Sequence, residues 1–276
     1  MRELDGRTAL VIGGGGGIGR GIALALAGEG MRIVVADIEA DSAAAVAAEL
    51  AATGAEASAE TVDVSDAGAV DALAERCFER HGGVDVLCNN AGVVGPTRLG
   101  PASLDNWRWI VDVNVLGVVH VVNAFVPRML ARIGEAGGEA HIVTASSIAG
   151  LIGGLGWEIS AYRASQLAIV GLTRDLRNEL DGSGIGVTLL CPGAVATRMW
   201  QAGRNRPPER GGPEEYQRPG ALDGRVIDAL EVGRRALHAI RENELYAMTH
   251  PERRDVVEAA LREQLDAFDR AAETSV

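Results

Sequence analysis

Two kinds of apolar pattern alternate along this chain. Short unbroken runs come first: Ala9-Leu10-Val11-Ile12, Ile33-Val34-Val35-Ala36, a run within 57–64, then 84–88, 141–145, 185–190 and 245–248. Runs of this length without polar alternation suit strands buried on both faces. Between them lie longer segments with apolar residues at helical spacing. A helix follows Gly19, carrying Ile22, Leu24, Ala25 and Leu26. Another spans 41–53, capped by Asp41 or Ser42 and ended by Gly54. Further helices run from a Ser65 or Asp66 cap to about 81, from a Ser103 cap over 104–132, over 161–180 and over 223–242. The last, 251–272, is charged and amphipathic. Strand–helix alternation of this kind predicts an α/β fold: one doubly wound parallel sheet with helices on both faces. Nothing suggests a second domain, so 1–276 reads as a single unit.

In such sheets ligands sit at the carboxyl ends of the strands. The polar clusters fall there. They are the glycine stretch after Ile12, Asp37, Asp63, Asn89-Asn90, Ser146-Ser147 and Pro192-Gly193. The glycine stretch is the most informative. Gly13 to Gly17 are five glycines in a row, followed by Ile18 and Gly19. A strand, a glycine turn and a helix N-terminus together present backbone N–H groups to a pyrophosphate, and side chains would hold the phosphate away. Eighteen residues after Gly19 the second run ends in Asp37. An acid there accepts hydrogen bonds from an adenosine ribose and repels a 2′-phosphate, which points to NAD over NADP.

Composition narrows the partners. A net charge of −12 argues against nucleic acid and against an anionic membrane surface. No apolar run is read as reaching the length of a membrane span, and the N-terminus lacks a signal-peptide pattern. Cys77, Cys88 and Cys191 are an odd set without metal-ligand spacing, read as buried free thiols in a reducing compartment. The expectation is a cytoplasmic protein with a small-molecule substrate.

The motifs Gly13-x-x-x-Gly17-Ile18-Gly19, Asp63-Val64, Asn89-Asn90-Ala91-Gly92, Asn114, Ser146-Ser147, Tyr162 and Pro192-Gly193-x-x-x-Thr197 resemble the short-chain dehydrogenase/reductase family over nearly the whole chain. The second half looks most like the branch with bacterial aryl-alcohol Cα-dehydrogenases. The resemblance implies a Rossmann-type fold and NAD as cofactor. It implies pyrophosphate contacts from Gly13, Gly17, Ile18 and Gly19, and ribose contacts from Asp37. Asp63 and Val64 would lie against the adenine, and Asn90, Ala91 and Gly92 along the central part of the coenzyme. Pro192, Gly193, Val195 and Thr197 would serve the nicotinamide end. Ser147 would hold the substrate oxygen and Tyr162 would exchange a proton with it, Ser146 being an ordinary strand-end serine. Such proteins usually pair through the helices here at 104–132 and 161–180, giving a homodimer or homotetramer.

The chain departs from the family at one informative place. Four residues after Tyr162, where the family has a lysine, stands Gln166. Positions four apart share a helix face, so the lysine ammonium would lie beside the phenol and the ribose. A free phenol has a pKa of about 10, and a nearby cation lowers such a value by roughly 1–3 units. Gln166 can still hydrogen-bond the ribose but carries no charge. Asn114, which normally helps a water chain ending at the lysine, loses part of that role. Arg163 points about 100° away on the helix. Glu158 is either a replacement acid or base or a solvated loop charge, with the solvated reading favoured.

Three functions remain open on sequence. The first is an NAD(H)-dependent oxidoreductase interconverting a secondary alcohol and a ketone. The second is a non-redox dehydratase, lyase or cyclase on the same scaffold, and the third a catalytically dead binding subunit. The 199–224 segment, rich in arginine, proline and glycine, reads either as a lid or as a plain surface excursion. Trp107, Trp109, Trp157 and Trp200 are candidate substrate walls, and the histidines at 81, 120, 141, 238 and 250 read as structural or exposed.

Overall fold

The computed structural model describes residues 1–100, 104–152, 158–217 and 225–274. Among these residues seven strands form one wholly parallel sheet in the order β3-β2-β1-β4-β5-β6-β7. They are β1 (Thr8–Ile12), β2 (Arg32–Asp37), β3 (Ala57–Thr61), β4 (Val86–Asn89), β5 (Ala140–Ala145), β6 (Ile185–Cys191) and β7 (Tyr246–Met248). The helices are α1 (Gly17–Ala27), α2 (Ala40–Ala52), α3 (Ala67–His81), α4 (Leu104–Val111), α5 (Gly117–Ala136), α6 (Ser160–Glu179), α7 (Ala229–Glu242) and α8 (Arg254–Glu273). β1 is fully buried, as its uninterrupted apolar run requires. The order of strands reverses between β1 and β4, and that switch point opens the main cleft.

Several boundaries differ from the sequence reading, each for a local reason. The cap of α2 is Glu39, not Asp41 or Ser42, because Glu39 is the last residue with extended backbone. Asp66 is the cap of α3, its carboxylate accepting from the Gly68 and Ala69 amides. α7 begins at Ala229, where Asp228 accepts from the Leu230 amide, rather than at 223. The expected continuous helix over 104–132 is interrupted by a π-turn at Asp112–Leu116 and then runs on to Ala136. Ser103 and Trp157 lie outside the described residues.

Among the described residues one helical stretch, Leu104–Glu135, is long and apolar enough to cross a membrane, contrary to the sequence expectation. Its apolarity is used inside the fold: Val118, Val121, Ala124, Phe125 and Met129 are buried, and α5 packs on α3. α1 and α7 meet at a small-residue contact, where a side chain at Gly21 or Gly233 would strike the other helix's backbone. α8 lies apart from the core, with Leu261, Leu265 and Phe268 exposed. Cys77, Cys88 and Cys191 are buried free thiols, each pushed up to about 12 chiefly by that burial. His141 is a core residue: its Nε2 donates to the Thr188 hydroxyl, which donates in turn to the Glu244 carbonyl. Burial lowers its pKa to about 3, so it is neutral.

Candidate active site

The cleft at the carboxyl ends of the strands encloses ≈ 660 Å³. Its floor is the glycine loop. After β1 the Gly13 and Gly14 amides both donate to the Ala36 carbonyl at the end of β2, at 2.8 and 3.0 Å. Gly13 has φ +73°, and a Cβ there would sit 2.7 Å from the Ala91 amide nitrogen. A Cβ on Gly19 would lie 2.1 Å from the Gly13 carbonyl oxygen. These two positions admit only glycine. Across the switch point Asn90 Nδ2 donates to the same Gly13 carbonyl at 3.0 Å, tying the end of β4 to the loop after β1. α1 starts at Gly17 with neither a side-chain cap nor an acid in its first turn. Its first amides are therefore open to an anion.

Asp37 is held by two backbone donors. Gly15 N–H reaches one carboxylate oxygen at 2.9 Å and Glu39 N–H the other at 3.0 Å. Asp63 accepts from the Ser65 amide and hydroxyl, fixing the turn that carries Val64. His120, on α5, hydrogen-bonds the Val64 carbonyl at 2.9 Å and so braces that turn from behind.

Of the residues singled out on sequence, Gly13, Gly17, Ile18, Asp37, Asp63, Val64, Asn90, Ala91, Gly92, Ser147, Tyr162, Gln166, Pro192, Gly193, Val195 and Thr197 all line this one cleft. Gly19 lies just beneath it. Asn114 stands behind the wall, fully buried in the π-turn. Its amide oxygen accepts from the Val93 N–H at 2.8 Å, and its nitrogen donates to the Val93 carbonyl and to Ser165 Oγ. Ser165 Oγ in turn donates to the Tyr162 carbonyl at 2.7 Å. Asn114 thus uses both of its N–H donors and its oxygen to clamp the segment after β4 to the first turn of α6.

Ser147 and Tyr162 converge. Ser147 follows β5, accepts from the Ala149 amide at 3.1 Å and donates to the Pro192 carbonyl at 3.4 Å, with its hydroxyl close enough to the Tyr162 phenol to favour the phenolate. The neighbouring Ser146 hydroxyl is used up in donating to the Gln166 carbonyl at 3.0 Å. Burial pushes the Tyr162 phenol above its ordinary value, and the Ser147 hydroxyl opposes that rise only in part. Gln166, one turn on from Tyr162, is buried. No lysine is available elsewhere, because all 26 basic residues of the chain are arginines.

The other candidates are placed as follows. Glu158 is half-exposed and paired with Arg98, and it does not line the cleft. Arg163 donates to the Ile152 carbonyl at 3.2 Å, also outside the cleft lining. His250 is buried beneath the Pro192-Gly193 turn. Its Nδ1 accepts from the Gly193 amide, and its Nε2 lies 3.2 and 3.1 Å from the Ala194 and Arg225 carbonyls. Trp109 and Trp200 line the cleft, whereas Trp107 does not.

The described part of the 199–224 segment folds as two 3-10 turns, Met199–Asn205 and Pro208–Arg210. Met199, Trp200, Ala202, Arg204, Asn205 and Pro207 line the cleft, so this part forms one of its walls. Residues 218–224 lie outside the described residues. Sequence reading missed Glu39, Arg198 and Arg253, which also line the cleft. They carry no motif, and the fold alone gathers them.

Comparisons with known proteins agree with this geometry. The family model for short chain dehydrogenases matches residues 7–207. The 1-deoxy-11-beta-hydroxypentalenate dehydrogenase of Streptomyces avermitilis is 42% identical over 194 residues, covering 70% of each chain. A CLA biosynthesis dehydrogenase/reductase of Lactiplantibacillus plantarum is 28% identical over 94% of this chain and 93% of its own. Among solved structures, a short chain dehydrogenase/reductase from Burkholderia phymatum in complex with NAD superposes with a TM-score of 0.84 at 35% identity, covering 94% of both chains. The apo form of LigO from Sphingobium gives 0.82 at 31% identity, over 100% of this chain and 93% of its own. With its seven-stranded parallel sheet and a glycine-floored cleft lined by both Ser147 and Tyr162, the chain belongs to the short-chain dehydrogenase family and is an oxidoreductase of it.

Proposed function

We propose that Ser147 and Tyr162 act on the oxygen of an apolar secondary alcohol or its ketone, beside NAD held on the glycine loop. The observation that carries this reading is that Ser147 and Tyr162 line the same cleft as Gly13, Asp37 and Thr197. The cofactor is NAD, and the site fits it. Gly13 and Gly19 leave room only for backbone, the first turn of α1 offers free amides, and the fixed Asp37 carboxylate meets a ribose and repels a 2′-phosphate. When bound, NAD supplies the acceptor or donor of hydride for the carbinol carbon.

The remaining work belongs to the chain. Hydride exchange changes the charge on the substrate oxygen, so that oxygen needs a hydrogen-bond donor and a proton partner. Ser147 donates the hydrogen bond. Tyr162 gives its phenolic proton to that oxygen in reduction and takes one from it in oxidation. Asn114 is a positioning residue, clamping Val93 and the start of α6. Gln166 offers a neutral amide to the nicotinamide ribose. Trp109, Trp200, Ile152 and Met199 give the substrate end apolar walls. With no cation paired to the phenol, reduction proceeds from its resting protonated form, and oxidation gains speed only as pH rises. The same reading includes a homodimer or homotetramer through α4–α6, where Leu104, Leu116, Leu130 and Leu167 are exposed, and a cytoplasmic setting that keeps three free thiols reduced.

The test is turnover of a panel of apolar secondary alcohols and ketones, followed by NADH absorbance, in wild type and Tyr162→Phe. Wild type should react, and Tyr162→Phe should lose about 10²- to 10⁴-fold. The chain's departure at Gln166 makes the non-redox reading the second one. Binding of NADH with no turnover of any alcohol or ketone would favour it.

A further inference from the structure

Arg198 follows Thr197 directly and lines the same cleft, yet no role at the cofactor attaches to it so far. Its guanidinium lies over the middle of the glycine loop. A Cβ built on Gly16 would have Arg198 Nη2 as its neighbour at 3.8 Å, and one on Gly17 would meet the Thr197 side chain at 3.0 Å. Thr197 and Arg198 therefore roof the loop whose amides face the anion.

The present partner of Arg198 holds it weakly. Its Nη2 reaches Glu39 Oε2 at 3.5 Å, and the side chain is 58% exposed. Glu39 is well served without it. Arg204 Nε and Asn205 Nδ2 donate to Oε1 at 2.5 and 2.9 Å, and Ser42 Oγ donates to Oε2 at 2.8 Å. Burial alone would raise the Glu39 carboxyl, but the bonds from Arg204, Asn205 and Ser42 outweigh it and hold the value at about 2. Moving Arg198 away would therefore strip Glu39 of little.

We infer that Arg198 is a pyrophosphate-binding residue, leaving Glu39 to close over the phosphates of the dinucleotide while Arg204 and Asn205 keep the segment anchored. This rests on the dinucleotide reading of the cleft and adds a residue to it. Backbone amides at a helix N-terminus supply about half a unit charge. A pyrophosphate carries more than that offsets, and a guanidinium presents paired donors to phosphate oxygens. The cation is placed where the loop itself cannot provide one.

Calorimetric titration with ADP, with adenosine and with NADH separates the possibilities. ADP and adenosine share the base and ribose but differ in the pyrophosphate. Arg198→Ala should weaken ADP and NADH by about ten- to a hundredfold and leave adenosine unchanged. Arg198→Lys should recover part of the loss, and added salt should weaken ADP binding more in wild type than in Arg198→Ala. Arg204→Ala, which releases the anchor and not the roof, should change ADP and adenosine by the same factor. Equal affinities of wild type and Arg198→Ala for ADP, or equal losses for ADP and adenosine, would overturn the assignment while leaving the cofactor reading standing. A wild-type protein that binds neither ADP nor NADH would overturn both.

Discussion

The two walls of the cleft are built differently. On the glycine-loop side, positions are set by backbone: amides of Gly13, Gly14, Gly15 and Glu39 fix the loop and Asp37, and the allowed residues follow from contact distances. On the opposite side, the 198–217 wall is held by side chains, most of them reaching other elements. Arg204, Asn205 and Arg198 bind Glu39, Arg210 binds Asp112, and Arg206 binds Asn106 and Glu214. The first wall is intolerant of even one methyl group at Gly13 or Gly19. The second tolerates substitution singly, because each link is one of several, and depends on charge.

The largest effect should come from breaking the backbone wall. Gly19→Ala places a methyl 2.1 Å from the Gly13 carbonyl oxygen, a rigid neighbour. We expect destabilisation of about 1–3 kcal/mol by thermal or urea unfolding, and a fall in kcat/KM on the order of 100-fold from the displaced loop. Near-normal values for both would show that the loop yields, and the contrast between the walls would be lost.

The middle of the cleft sharpens the contrast from the other direction. Gln166→Lys puts a cation on the Tyr162 face of α6, where burial now raises the phenol. A raised pKa keeps the tyrosinate scarce at neutrality, so oxidation should climb with pH. Lowering that value by a unit or more should move the alkaline limb toward neutrality and raise the oxidation rate at pH 7 about tenfold or more. Reduction, which uses the phenol, should gain less. A pH–rate profile unmoved by the lysine would mean that some other group carries the proton.

The smallest effect belongs to the side-chain wall. Glu39→Gln removes the charge that Arg204 and Arg198 share and keeps the hydrogen-bonding shape. Cleavage by trypsin within 199–217 should quicken several-fold, with unfolding stability changed by less than about 1 kcal/mol, as for partly exposed pairs. Because the Glu39 carboxyl is held at about 2, the link should be complete at pH 5 and lost only as pH falls through that value. Release already complete near pH 4.5 would show Glu39 to be an ordinary exposed carboxylate.

The contrast also explains what could be read in the chain beforehand. Backbone geometry leaves a trace in residue type: Gly13 and Gly19 admit nothing else, β1 is an apolar run because both faces are covered, and Asn90 sits one residue beyond its strand. Those elements were legible. The π-turn was not, since Asp112–Leu116 has ordinary helical composition and the Asn114 bonds to Val93 and Ser165 that accompany the wider turn join residues distant in sequence. Glu39, Arg198 and Arg253 were invisible for a related reason. Glu39 and Arg198 meet across 159 positions of sequence, Arg253 reaches the cleft only through the fold, and surface arginines and glutamates look alike everywhere. Ser147 could be preferred to Ser146 only by resemblance. The structure separates the two physically, since Ser146 is already bonded to the Gln166 carbonyl.

Arginine supplies every permanently charged side-chain cation in this molecule, since the chain has no lysine, and a guanidinium stays protonated at any pH an enzyme meets. Restoring the amine at position 166 would therefore install the chain's sole lysine. Growth on isotopically labelled lysine would then give a spectrum with one side-chain ammonium signal, needing no assignment. Its titration would report directly on the electrostatic field at the reacting oxygen, in the free protein and with each half of the coenzyme in turn. The surroundings of a catalytic proton are seldom so easily isolated, and here the isolation follows from a chain without lysine.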